Sequence, residues 1–136
     1  MVDHRCKITA ACFAFVTALL FNPVVHAGDE PPAKFADLMT SPLAADSNIE
    51  VTVSRVRILP NFTTPRHYHP GEVFVYVMDG SVTIWQQGKP DVELGEGEVF
   101  KIPPSVVHSA ITGSDSVTAL VFRVLESGQP ERVLVK

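Results

Sequence analysis

Turn residues, placed at regular intervals, constrain this chain more than any other feature. From Asn48 onward, Val- and Ile-rich runs alternate with Pro, Gly and Asp-Gly breaks at roughly ten-residue spacing. The runs are Ile49 to Leu59, Val73 to Met78, Ser81 to Gln87, Asp91 to Leu94, Glu98 to Ile102, Val106 to Thr112, Val117 to Leu125 and Arg132 to Val135. No long helical period interrupts them, which argues against βαβ crossovers and a parallel sheet. Short strands so spaced predict an all-β sandwich or barrel. Asp79-Gly80 reads as a hairpin turn, with Ser81 to Gln87 as the partner of the strand before it.

Before Asn48 the pattern differs. Arg5 and Lys7 precede an almost wholly apolar run of 14 residues, Ile8 to Phe21, which Asn22-Pro23 ends. Val25-His26-Ala27 supplies the small residues of a cleavage site. The pattern is that of a secretory signal peptide over residues 1–27, cut after Ala27. The run is shorter than the roughly 20 residues a membrane span needs. The expected location is therefore the periplasm or the exterior, with no membrane attachment after cleavage. Residues 28–47, rich in Pro, Ala and Asp, are expected as an N-terminal arm, in which Ala33 to Met39 forms a short helix or packs as an extended arm. Residues 48–136 are the expected β domain.

Cleavage changes the chemistry available. Both cysteines, Cys6 and Cys12, leave with the leader, so neither a disulfide nor a thiolate is expected. Asp3, Arg5 and Lys7 leave too, and the 15 acidic and 11 basic residues of the whole chain become 14 and 9, a net charge of −5. Without a basic cluster to neutralise phosphates, nucleic acid is not an expected partner. Three of the five histidines remain, His67, His69 and His108.

Side chains at i and i+2 of a strand share a face, so His67 and His69 point the same way and Tyr68 the other. Two such imidazoles can grip one metal ion at about 2.0–2.1 Å per nitrogen. His108, which follows the Pro103-Pro104 turn, can close the site from another strand. A carboxylate would complete a mixed nitrogen and oxygen sphere. Glu72 is the carboxylate that follows the histidine pair. Strict alternation sets Val73, Val75 and Val77 on one face and Glu72 on the other. A register shift at Pro70-Gly71 would reverse this. Without Glu72, three histidines remain, with water or substrate filling the other positions. Arg55, Arg57, Arg123 and Lys101 alternate with apolar neighbours and are expected on an exposed strand face, from which one could reach a substrate anion.

The spacing of these residues resembles the cupin family. Its first motif runs Gly-x5-His-x-His-x3-Glu-x6-Gly, its second Gly-x5-Pro-x-Gly-x2-His-x3-Asn. His67, His69 and Gly80 match the first, and Gly97, Pro103 and His108 the second. Asn61, Ser105 and Thr112 stand where the motifs have Gly, Gly and Asn, and Val73 stands at the motif's Glu, one residue after Glu72. Asn tolerates a positive φ well enough to replace Gly in a turn; Ser is less comfortable there.

The resemblance implies a jelly-roll barrel, a double-stranded β-helix, with one divalent transition metal ion (Fe, Mn, Ni, Cu or Zn) near one mouth. It implies an oxygenase-like enzyme acting on a small chelating substrate, phenolic or keto/enol, with Glu72, one residue before the motif's Glu position, as candidate fourth metal ligand and either Glu72 or metal-bound hydroxide taking the substrate proton. Two alternatives stay open: a non-catalytic cupin that binds a small ligand or a metal, and a small sugar or keto-acid isomerase. Leftover apolar faces, including Phe74, Tyr76 and Val121, point to a homodimer. Imidazoles of ordinary pKa would lose a metal as pH falls through about 6.5.

Overall fold

The computed structural model describes residues 30–136; the leader expected over 1–27 lies outside the described residues. Ten strands follow one another: β1 (Ala33–Pro42), β2 (Ile49–Ile58), β3 (His67–Tyr68), β4 (Glu72–Gly80), β5 (Val82–Gln86), β6 (Val92–Leu94), β7 (Val99–Ile102), β8 (His108–Ile111), β9 (Val117–Glu126) and β10 (Val133–Leu134). All pairings are antiparallel, in two five-stranded sheets ordered β1-β2-β9-β4-β7 and β10-β3-β8-β5-β6. Each run expected from the turn spacing is present as a strand, and the all-β class follows.

Alternation builds the core. Val73, Val75 and Val77 of β4 are buried while Tyr76 and Met78 between and after them are exposed. Val82 and Ile84 of β5 face them from the second sheet, and Val56, Ile58, Ile102 and Val117, all of the first sheet, join the same core. Burying these β-branched side chains, at about 1.5–3 kcal/mol each, is what closes the two sheets on one another.

Two expectations are corrected. Asp79-Gly80 does not make a hairpin: β4 pairs with β7 and β9, and β5 with β6 and β8, so the chain changes sheets at Gly80-Ser81. Gly80 has φ +78°, and a Cβ there would lie 1.9 Å from the Ser116 carbonyl oxygen. The glycine serves a close backbone crossing between sheets. The stretch Ala33 to Met39 is not a helix. It lies in β1, which extends the first sheet by pairing along β2 from Ala33 opposite Ile58 to Pro42 opposite Glu50. The unpaired edge of β2 offers it a row of backbone partners, and that row overrides its mixed local propensity.

Substituted motif positions keep their turn geometry. Asn61 (φ 55°) and Ser105 (φ 60°) both adopt the left-handed conformation that glycine would supply. Ser105 N–H donates to the His69 carbonyl at 2.8 Å, so this turn is tied to the site. Thr112 anchors the loop before β3: its hydroxyl donates to the Leu59 carbonyl at 2.7 Å and accepts from the Phe62 N–H at 3.1 Å.

Candidate metal centre

The short strand β3 brings the histidines together. His67 pairs directly with His108 of β8, and His69 lies two residues on, turned to the same side. Ring centroids are 4.3 Å apart for His67 and His108, 5.0 Å for His67 and His69, and 5.2 Å for His69 and His108. One ring nitrogen from each lies within 4.8 Å of the others. Modest ring rotations would bring these nitrogens onto one ion with bonds of about 2.0–2.1 Å.

Backbone carbonyls fix which nitrogen is free. His67 Nδ1–H donates to the Pro65 carbonyl (2.7 Å), His108 Nδ1–H to the Val106 carbonyl (2.9 Å), and His69 Nδ1–H to the Glu131 carbonyl. A carbonyl only accepts, so each Nδ1 carries the proton and each Nε2 keeps its lone pair. This is the anchoring that orients imidazole ligands in metal sites. Burial reinforces it. Desolvation penalises the imidazolium and pushes His69 and His108 down to about 4; it also lowers His67. The rings are neutral and ready to donate at any pH near 7. The donor chemistry therefore fits a divalent transition metal ion.

Glu72 is not brought to this group. Alternation runs unbroken from Glu72 to Val77, so Glu72 faces outward and its carboxylate pairs with Lys101 Nζ at 2.5 Å on the partly exposed surface. The register shift that Pro70-Gly71 would allow does not occur. A Cβ on Gly71 would lie 2.0 Å from the Val124 carbonyl oxygen, so the glycine serves a close approach of β9.

Of two inward-facing polar residues, one went unassigned in the sequence and the other was expected on the outer face. Gln86 lies directly opposite His108, 3% exposed, on the inner face of β5 with Val82 and Ile84. Its Oε1 has no hydrogen-bond partner among the described residues. A polar residue that continues the inward set of Val82 and Ile84 was the available signal. Arg123 departs from the exposed face expected for it. It pairs with Thr52 and Val73, both buried, and is itself 5% exposed, unlike Arg55, Arg57 and Lys101, which are exposed. Arg123, His69, His108, Thr64 and Phe35 line one otherwise apolar cavity of about 80 Å³ inside the barrel.

Residues 54–124, just over half of the chain, match the model of the cupin domain. The chain belongs to the cupin family. This cupin is 39% identical over 75 residues to a 3-hydroxyanthranilate 3,4-dioxygenase of Burkholderia cenocepacia, and 32% identical over 76 residues to one of Mycosarcoma maydis. Each match takes in 53% of this chain, and 41% and 42% of the two relatives, so the chain spans less than half the length of either. Among solved structures, a cupin-like protein of Thermotoga maritima superposes with a TM-score of 0.60 at 24% identity, over 76% of this chain and 75% of that one. That likeness speaks for the fold.

Proposed function

We propose that His67, His69 and His108 hold one divalent transition metal ion, and that this cupin is an oxygenase-like enzyme for a small chelating substrate, phenolic or keto/enol. One observation carries the reading: three neutral imidazoles with their Nδ1 atoms tied to carbonyls converge on a common point. The dioxygenase relatives, over the part they share, favour this chemistry. An ion held by three neutral nitrogens keeps open positions and supplies Lewis acidity for a chelating oxygen. The chain's own contribution is to fix the ligand nitrogens, to exclude water with the apolar walls around the cavity, and to present Arg123 to whatever enters.

The carboxylate of Glu72 is engaged with Lys101 on the other side of the sheet. That observation favours a second reading, a cupin that binds a metal or small ligand without turnover. Elemental analysis of the isolated protein, followed by oxygen uptake with a panel of phenols and enols on Fe-, Mn-, Ni-, Cu- and Zn-loaded samples, separates the two. Metal uptake with oxygen consumption on some substrate supports the enzyme. Saturable binding with no consumption in any metal form supports the second reading. No stoichiometric metal uptake overturns the metal centre and the enzyme with it, and leaves a binder of small ligands alone.

Export and self-association complete the proposal. The leader pattern of residues 1–27 supports export to the periplasm or beyond, tested by the N-terminal sequence of the mature protein. The exposed Phe35, Leu38 and Met39 on β1 and Tyr76 and Met78 on β4 support a homodimer, tested by mass in solution.

A further inference from the structure

We infer that the ligand at this metal centre is a carboxylate, with the Arg123 guanidinium as its anchor and a neighbouring oxygen of the ligand directed to the metal. The inference rests on the three-histidine reading and adds the substrate's charge to it.

Arg123 is a cation in a place where a cation is costly. It projects from β9 into the barrel and lines the same cavity as His69 and His108. A guanidinium has five N–H donors. Among the described residues one of them is used, by Nη1 donating to Ser54 Oγ at 2.6 Å, and Ser54 Oγ donates on to Asp37 Oδ1 at 2.5 Å. The carboxylate facing Arg123 is Glu131 Oε2, 3.7 Å from Nη1 and half exposed, beyond hydrogen-bond reach. A buried charge is ordinarily paired and fully hydrogen-bonded; this one is partly served from one side.

The charge balance of the centre points the same way. Three neutral imidazoles leave both charges of a divalent ion uncompensated. The carboxylate that the family motif would add is absent from the group, since Glu72 is turned outward. Arg123 adds a third positive charge beside the same cavity, and against these three charges stand two carboxylates, Asp37, reached through Ser54, and the half-exposed Glu131. An anionic ligand offsets these charges, and a planar carboxylate matches the guanidinium fork. The cavity of about 80 Å³ limits what lies inside it to a few heavy atoms, which suits a carboxylate and the oxygen next to it.

Glu131 gives the inference a sign. Its main-chain carbonyl holds His69, while its side chain competes for Arg123. Removing that charge leaves the backbone contact in place and frees the guanidinium for a ligand.

The test uses Co(II), whose visible spectrum reports both loading and ligand binding. Apo protein is titrated with Co(II), and the loaded protein with glycolate against ethylene glycol and with salicylate against salicylamide. Wild-type protein is expected to bind each acid at least roughly tenfold more tightly than its neutral analogue. Arg123→Met should abolish that preference while Co(II) loading persists, Arg123→Lys should retain part of it, and Glu131→Gln should tighten both acids severalfold. Equal binding of acids and neutral analogues by wild-type protein overturns the inference, whatever the variants do. So does a Glu131→Gln protein that loads Co(II) and binds the acids no better than wild type. A protein that takes up no Co(II) overturns the metal reading, and the carboxylate inference with it.

Discussion

His67 and His108 stand directly opposite each other across β3 and β8, with ring centroids 4.3 Å apart. In an antiparallel pair the two side chains project from the same face. Forty-one positions of chain are thereby reduced to one sheet spacing, and His69 joins from the residue just past β3. Loss of any one ring should therefore weaken metal binding strongly. His67→Ala, His69→Ala and His108→Ala are each expected to lower Co(II) or Zn(II) affinity by more than roughly a hundredfold, measured by competition with a chromophoric chelator. Glu72→Gln should leave that affinity unchanged and cost at most about 1 kcal/mol in urea unfolding, because its ion pair with Lys101 is largely solvated. A drop in metal affinity for Glu72→Gln would return that carboxylate to the centre.

The buried histidines set a pH window. Folded His69 and His108 lie at about 4, against about 6.5 when unfolded, because burial penalises the charged ring. The unfolded chain therefore binds more protons between those values. Stability of the apo protein is fully present above about 6.5 and falls as pH is lowered toward 4, with little further loss from these two groups below it. Urea midpoints measured from pH 7.5 to 3.5 should show this slope, and His108→Gln should reduce it. The same shift moves metal loss away from the pH of an ordinary imidazole. Protons compete for His69 and His108 only as pH approaches 5, and burial lowers His67 as well, so metal should be lost at a pH below that of an ordinary imidazole. A loss centred on 6.5 would show that the rings are not shielded.

Gln86 carries an acceptor without a donor. Its Oε1 is buried opposite His108 with no partner among the described residues. Leaving such a group unsatisfied costs about 1–3 kcal/mol. Gln86→Met keeps the length of the side chain and removes the acceptor. The apo protein should therefore be unchanged or more stable by up to about 1 kcal/mol, read from urea unfolding. A loss above about 2 kcal/mol would mean that the amide already has its partners.

What the sequence reveals divides along a physical line. Strands were legible because turn residues and alternation are local signals: β4 was readable as a strand with Val73, Val75 and Val77 on one face, though not which face turns inward. The His67-x-His69 pair was legible because alternation has period two, and His108 through its motif spacing. Strand partners were not legible. Asp79-Gly80 has hairpin chemistry, and only the packing of Gly80 on Ser116 reveals a crossing between sheets. Likewise Arg123 and Arg55 both alternate with apolar neighbours, yet one faces the cavity and the other solvent. Which side of a strand becomes the inside is decided by the partner strand, as at Thr52 and Val73 beside Arg123. β1 was hidden for a related reason, since its pairing comes from the edge of β2 rather than from its own residues.

The sheet crossing is itself open to measurement. Gly80 and Gly88 both have positive φ, +78° and +72°. At Gly88 an added Cβ meets nothing within 4 Å, so Gly88→Ala carries the cost of the left-handed backbone alone, about 1 kcal/mol. At Gly80 the Cβ would sit 1.9 Å from the Ser116 carbonyl oxygen, which is backbone and cannot swing aside. Gly80→Ala must separate β4 from the start of β9, where Gly80 pairs with Val117, one of the most deeply buried core residues. It should cost at least about 2 kcal/mol more than Gly88→Ala in denaturant unfolding. Equal costs for the two alanines would show that backbone handedness alone requires glycine at the crossing.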